Sequence, residues 1–131
     1  MPRILVIDDD DLFREFLEAQ LVAAGFQVVA AADGDDGLCK YADGPVDLVI
    51  CDVLMPNKDG LETIRELRTR APALPIISMT GGILAEGEDG IDDLRMSLAF
   101  GATRSIGKPF RAAKLLKLVR ECLGLAPSPL A

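Results

Sequence analysis

Asp8, Asp9 and Asp10 follow an apolar run, Asp52 ends another, Thr80 ends a third, and Lys108 stands before Pro109 just after a fourth. If these ends meet, the acids repel one another, and carboxylates within ~4–6 Å of each other need a cation. With oxygen donors alone, the suitable ion is a hard one. Mg²⁺ uses one or two carboxylates, keeps waters and leaves room for phosphate oxygens. Lys108 adds a fixed positive charge and Thr80 a hydroxyl donor. Such a set makes a pocket for a phosphoryl group, with a metal on one side and an amine on the other. The chain has neither GxxxxGK[ST] nor GxGxxG, so a nucleotide would lack its phosphate cradle. An Asp can carry the phosphoryl group itself, as an aspartyl phosphate. Asp52, central in the set, is the natural candidate.

The hydrophobic pattern says how these residues are brought together. RILVI (3–7), FQVVAAA (26–32), VDLVICD (46–52), PIISMT (75–80) and ATRSI (102–106) are short apolar runs bounded by acids, glycine or proline, and they predict five strands. Helical spacing fills the gaps. Leu12, Phe13, Phe16, Leu17, Leu21 and Ala24, closed by Gly25, predict a first helix with that set inward. DGDDGLCKYADG (33–44) suits a short second helix, with Asp33, Asp35 and Asp36 as its solvated turn and start. DGLETIRELRTRA (59–71) predicts a third, with Asp59 as cap, Glu62 at capping-box spacing, and Leu61, Ile64 and Leu67 inward. Ile91, Leu94 and Leu98 mark a fourth helical face. RAAKLLKLVRECLG (111–124) gives a last one, with Leu115, Leu118, Val119 and Cys122 inward.

Strands without polar alternation, each followed by a helix, imply a parallel sheet covered on both faces. Five such units are too few for a closed barrel. The expected fold is α/β, a doubly wound five-stranded parallel sheet. In the flavodoxin-like order 2-1-3-4-5 the four polar strand ends stand side by side, and strand 2, ending in Ala31-Ala32, lies at the edge.

Bulk properties narrow the function. At 131 residues, half of them hydrophobic, the chain fits one domain with a proper core. Residues 1–124 are expected to form it, and 125–131 an unordered tail. A net charge of −7 argues against direct binding of nucleic acid. No apolar run is long enough to span a membrane. The start, MPRILVIDDD, is not a signal peptide, so the expected compartment is the cytoplasm. There is no His, and Cys39, Cys51 and Cys122 have no CxxC spacing. A Cys/His zinc site and a His-dependent catalytic triad are thereby excluded. Free thiols are expected, with Cys51 a small core residue.

ILVIDDD, DLVICDVLMPNKDG, PIISMTG and GKPF, in this order and at these strand ends, resemble the response-regulator receiver family of two-component signalling, from residue 3 to about 124. The resemblance implies that Asp52 is phosphorylated. It implies Mg²⁺ bound directly by Asp9, by Asp8 partly through water, by Asp52, and by the backbone carbonyl of Leu54. Thr80 and Lys108 would contact the phosphoryl oxygens. The implied donor is a sensor histidine kinase or a His-containing phosphotransfer protein. The implied output is a conformational shift read by a downstream protein, not identified by sequence, through the fourth helix, fifth strand and last helix; a homodimer is compatible with it. The module would be no turnover enzyme, catalysing only its own phosphorylation and dephosphorylation. Two departures touch the output face. Ser105 stands where the family usually has an aromatic, and the stretch GGILAEGEDG (81–90) is longer than usual. The Gly-rich stretch is expected to replace the aromatic as the mobile element.

Plainer readings stay open. Asp8 and Asp9 suit a solvated turn, with Asp10 or Asp11 capping the helix. Asp52 and Thr80 suit turns. Lys108 suits the surface, with Pro109 fixing its direction, a cis peptide included. Met55 and Pro56 shape their loop. Competing functions are an Asp-nucleophile phosphohydrolase, a flavodoxin-like cofactor binder, and a degenerate receiver that binds partners unphosphorylated. The hydrolase wants an acid two residues past Asp52, where Leu54 stands. The cofactor binder wants a hydroxyl- and Gly-rich loop after strand 1, where this chain has acids.

Overall fold

The computed structural model describes residues 1–53, 60–80 and 98–126. In chain order its elements are β1 (Arg3–Ile7), α1 (Asp11–Ala23), β2 (Gln27–Ala31), α2 (Gly34–Asp43), β3 (Leu48–Asp52), α3 (Gly60–Arg70), β4 (Ile76–Thr80), β5 (Arg104–Gly107) and α4 (Ala112–Leu123). The strands form one all-parallel sheet in the order β2-β1-β3-β4-β5, as the sequence pattern implies. Asp59, the stretch 81–90 and the fourth helical face at Ile91 and Leu94 lie outside the described residues; residues 98–100 are helical.

Alternate residues of each central strand face opposite cores. Ile4 and Val6 of β1 meet Leu17, Leu21, Leu115 and Val119 of α1 and α4. Leu5 and Ile7 meet Leu38, Ile64 and Leu67 of α2 and α3. Every residue of β3 and of β4 is buried, which explains their largely apolar runs without polar alternation, Ser78 being the one polar residue inside β4. Cys51 is among them, and all three cysteines are free thiols.

Local signals set the helix ends. The Asp10 carboxylate accepts from the Phe13 amide (3.1 Å) and caps α1. Gly25, at φ 98°, ends it, its amide N–H donating a hydrogen bond to the Val22 carbonyl (3.0 Å). Asp33 caps α2 through the Asp36 amide (2.8 Å). β5 starts two residues later than expected. The backbone of Thr103 bonds Ile76 without joining the ladder's regular run.

The inward face of α1 is narrower than periodicity alone predicts. Leu12 is 80% exposed and Phe16 44%. At about 100° per residue, Leu12 lies a quarter-turn or more from the Phe13–Leu17–Leu21 stripe. That stripe, with Ala24, packs into the core beside the sheet, and Phe13 also meets Phe110.

Arg68 of α3 ties together the approach to β5. Its Nε and Nη2 donate to the Gly101 carbonyl (2.9 and 2.7 Å), and its Nη1 to the Ala71 and Pro72 carbonyls (3.1 and 2.9 Å). Arg68→Ala leaves these carbonyls without a charged donor and is expected to destabilise the protein by about 2 kcal/mol in urea unfolding. Arg68→Lys should recover less than half of that, because an ammonium cannot reproduce the planar fork. Full recovery would show that charge alone suffices.

Candidate functional site

Sheet register lines up the polar strand ends. Ile7 pairs with Cys51, Asp52 with Met79 and Thr80 with Gly107, so Asp8, Asp52, Thr80 and Lys108 all stand at the carboxyl rim. Asp8 is wholly buried and Asp52 is 6% exposed, whereas Asp9 is exposed. One carboxylate oxygen from each of Asp8, Asp9 and Asp52 lies within 4.8 Å of the others. Lys108 Nζ bridges the two buried acids, 3.1 Å from Asp8 Oδ2 and 3.4 Å from Asp52 Oδ2. Its side chain is 20% exposed.

Backbone contacts hold these groups still. The Asp8 amide donates to the Ala31 carbonyl (3.1 Å), and Asp8 Oδ1 accepts from the Asp10 amide (2.9 Å). Arg14 Nη1 donates to the Asp8 carbonyl (2.6 Å), its other arm pairing with Asp11. The Val53 amide bonds the Met79 carbonyl (2.9 Å). The Lys108 amide donates to the Thr80 carbonyl (2.9 Å), and the Lys108–Pro109 peptide is cis. Thr80 Oγ1 lies 3.5 Å from the Ile106 carbonyl oxygen.

Three carboxylates with only oxygen to offer, two of them buried, are a donor set that fits a hard divalent cation. The arrangement therefore brings together Asp8, Asp9, Asp52 and Lys108, with Thr80 on the neighbouring strand end. Leu54 lies outside the described residues. The side-chain oxygen of Ser105 is buried and has no hydrogen-bond partner among the described residues. Burial pushes the Cys122 thiol up, against a lowering pull from Arg104 and with a raising one from Glu121; it sits on α4, outside this cluster.

Two residues of the site escaped the sequence reading. Gly60 opens α3 directly on the end of β3. A Cβ there would lie 2.0 Å from the Asp52 carbonyl oxygen and 2.7 Å from Val53 Cα. Its only sequence signal is the Asp-Gly pair, which reads equally as a helix start. Phe13 carries the Lys108 amine 4.4 Å from its ring centroid. Helical spacing marked it merely as core.

Fold and site together define an α/β domain of the doubly wound kind, with an acidic, lysine-bridged site at the carboxyl rim of the sheet. The chain belongs to the response regulator receiver domain family, which its residues 4–120 match. It is 38% identical over 121 residues to response regulator MprA of Mycobacterium sp. (strain KMS), covering 92% of this chain and 50% of that protein. Its identity to response regulator MprA of Mycobacterium bovis (strain BCG / Pasteur 1173P2) is 37% over the same length. The chain thus spans about half the length of the curated relatives it matches. Among solved structures, a putative response regulator from Chloroflexus aurantiacus J-10-fl has a TM-score of 0.85 at 31% identity, covering 94% of this chain and 98% of that one. Chemotaxis protein CheY4 of Vibrio cholerae has a TM-score of 0.82 at 31% identity, covering 94% and 99%. Among the described residues no helix is long and apolar enough to cross a membrane.

Proposed function

We propose that the chain is a phosphoacceptor module that takes a phosphoryl group on Asp52 from a histidine kinase or a His-containing phosphotransfer protein. The observation that carries this is the Lys108 amine bridging Asp8 and Asp52 at a rim where three carboxylates converge. An Asp52 carboxylate oxygen forms a bond to phosphorus while the bond from phosphorus to the donor's imidazole nitrogen breaks, and the freed imidazole takes up a proton. Negative charge builds on the phosphoryl oxygens, and a fixed ammonium beside them stabilises it without having to reorganise. Asp8, Asp9 and Asp52, with the Leu54 carbonyl that the family resemblance adds, would hold Mg²⁺, which when bound neutralises those oxygens further.

Thr80 is the hydroxyl that reaches the transferred group, giving up its long contact with the Ile106 carbonyl to do so. That exchange links the site to β5 and to the surface a downstream protein reads. With Ser105 on β5 in place of an aromatic, this link runs through the Thr80 hydroxyl and the β5 backbone. The module makes no product by turnover, acts in the cytoplasm, and needs neither membrane nor nucleic acid for the step itself.

Incubation with Mg²⁺ and acetyl phosphate should yield one acid-stable, base-labile phosphoryl adduct per chain by intact mass. Asp52→Asn should yield none, because an amide cannot attack phosphorus as a carboxylate does. An adduct of equal yield on Asp52→Asn moves the acceptor elsewhere. No adduct on the wild-type chain favours a receiver that binds partners unphosphorylated. Continuous phosphate release from unrelated esters favours a hydrolase.

A further inference from the structure

We propose that Phe13 is a positioning residue for phosphoryl transfer to Asp52, its aromatic face holding the Lys108 ammonium beside the two buried carboxylates. The inference rests on the phosphoacceptor reading and adds to it a side chain with neither charge nor polar atom. Lys108 Nζ lies 4.4 Å from the Phe13 ring centroid. That is inside the ~6 Å within which the negative face of a ring attracts a cation.

Charge alone leaves the amine under-determined. Asp8 Oδ2 and Asp52 Oδ2 attract it from 3.1 and 3.4 Å. An ammonium on a flexible four-carbon stem can satisfy two acceptors from several rotamers. The ring supplies a third contact of a different kind. A carboxylate there would compete with incoming phosphoryl oxygens for the amine's protons. An aliphatic side chain would fill the space but offer no negative face. The ring leaves the amine's charge and its donors available. Lys108 is then able to exchange a carboxylate for a phosphoryl oxygen without losing its anchor.

Phe13 is itself fixed by the acids it serves. Its amide donates to Asp10 Oδ1 (3.1 Å), and the Asp10 amide donates to Asp8 Oδ1 (2.9 Å). Contacts therefore run from Lys108 through Asp8, Asp10 and Phe13 and close on Lys108 again. The ring also meets Phe110 edge to face, with centroids 5.7 Å apart at 74°. The segment that carries the amine is thus packed on the same ring that the amine covers.

The test uses the full chain with Mg²⁺ and acetyl phosphate over a range of donor concentrations. It compares wild type, Phe13→Leu, Phe13→Tyr, Lys108→Met and the Phe13→Leu/Lys108→Met pair, with melting temperatures alongside. Phe13→Leu should lower the limiting phosphorylation rate about fivefold, with the half-saturating donor concentration within about twofold. Phe13→Tyr, which keeps the aromatic face, should stay within about twofold of wild type. In the Lys108→Met background Phe13→Leu should do nothing more, since the two changes remove one interaction. The Lys108 Hε resonances should be shielded by the ring in wild type and Phe13→Tyr and should move downfield in Phe13→Leu. Equal losses in both backgrounds mean that Phe13 only supports the fold, and they overturn the proposal; so do Hε resonances that do not move. A wild-type chain that takes no phosphoryl group fails the phosphoacceptor reading instead, and the Hε comparison still reports whether the ring holds the amine.

Discussion

Gly60→Ala is expected to destabilise the protein by about 3 kcal/mol and to slow aspartyl-phosphate formation at least about tenfold. The added methyl would stand 2.0 Å from the Asp52 carbonyl oxygen, 2.7 Å from Val53 Cα and 2.8 Å from the Val53 carbonyl oxygen. All three atoms are backbone, so no side chain can swing aside. The strand end cannot retreat easily either. The Gly60 amide donates to the Val53 carbonyl (3.1 Å) and the Val53 amide to the Met79 carbonyl (2.9 Å). Moving α3 away breaks the first bond, and moving β3 away breaks the second. Overpacking usually costs about 1–3 kcal/mol, and rigid backbone on every side puts this case at the top of that range. Either movement displaces the Asp52 backbone, and with it the carboxylate whose line of approach to phosphorus sets the rate. Gly44→Ala is the matched control. Its methyl would touch only the end of the Arg3 side chain, which can turn aside, so stability should stay within about 0.5 kcal/mol. Urea unfolding and the rate with acetyl phosphate check both variants. Wild-type values for Gly60→Ala would mean that α3 re-seats freely and does not brace the phosphoacceptor.

The parts of the molecule that sequence made legible are those where one residue type has one use. β3 and β4 are buried on both faces, so their runs are apolar up to a polar tip, apart from the small buried Ser78 in β4. Each run marks both the strand and the place where Asp52 or Thr80 emerges, and parallel topology does the rest. Legibility fails where one residue type has several uses. Leu12 and Phe16 share the period of Leu17 and Leu21, yet the width of the buried stripe depends on which neighbours close over α1, and periodicity is silent on that. Phe13 packs on the core side as its spacing implies, but periodicity says nothing of the amine that its ring also meets, which comes from Lys108 far along the chain. Arg68 looks like any solvated arginine of an amphipathic helix until the Gly101 carbonyl arrives beside it. Gly60 is forced by a close approach of two backbones, which no local pattern records.

Lys108→Met should make the stability of the fold depend on divalent cations. In the wild-type chain the amine serves both buried acids, Asp8 Oδ2 at 3.1 Å and Asp52 Oδ2 at 3.4 Å. Methionine keeps most of the apolar stem but not the ammonium that covers the Phe13 ring, so the change removes chiefly charge. What remains is three carboxylates with oxygens within 4.8 Å of one another, without the Lys108 amine. Breaking a buried pair by deleting one partner costs about 3–5 kcal/mol. Because the Lys108 side chain is 20% exposed, water screens part of the loss, and about 2–3 kcal/mol is expected in metal-free urea unfolding. Added Mg²⁺ should return most of it. It should also bind more tightly than to the wild-type chain, since the Lys108 ammonium no longer competes for the carboxylates, and the gain in stability should rise with the logarithm of its concentration. The rate of phosphorylation should move the other way, falling about tenfold or more, because the phosphoryl oxygens lose their fixed positive neighbour. This opposition, metal affinity up and transfer rate down, separates a lysine that works on the phosphoryl group from one that only neutralises acids. Calorimetric titration with Mg²⁺ and the acetyl phosphate rate measure the two halves. A variant that binds Mg²⁺ more tightly and is phosphorylated at the wild-type rate would reduce Lys108 to a structural counter-ion.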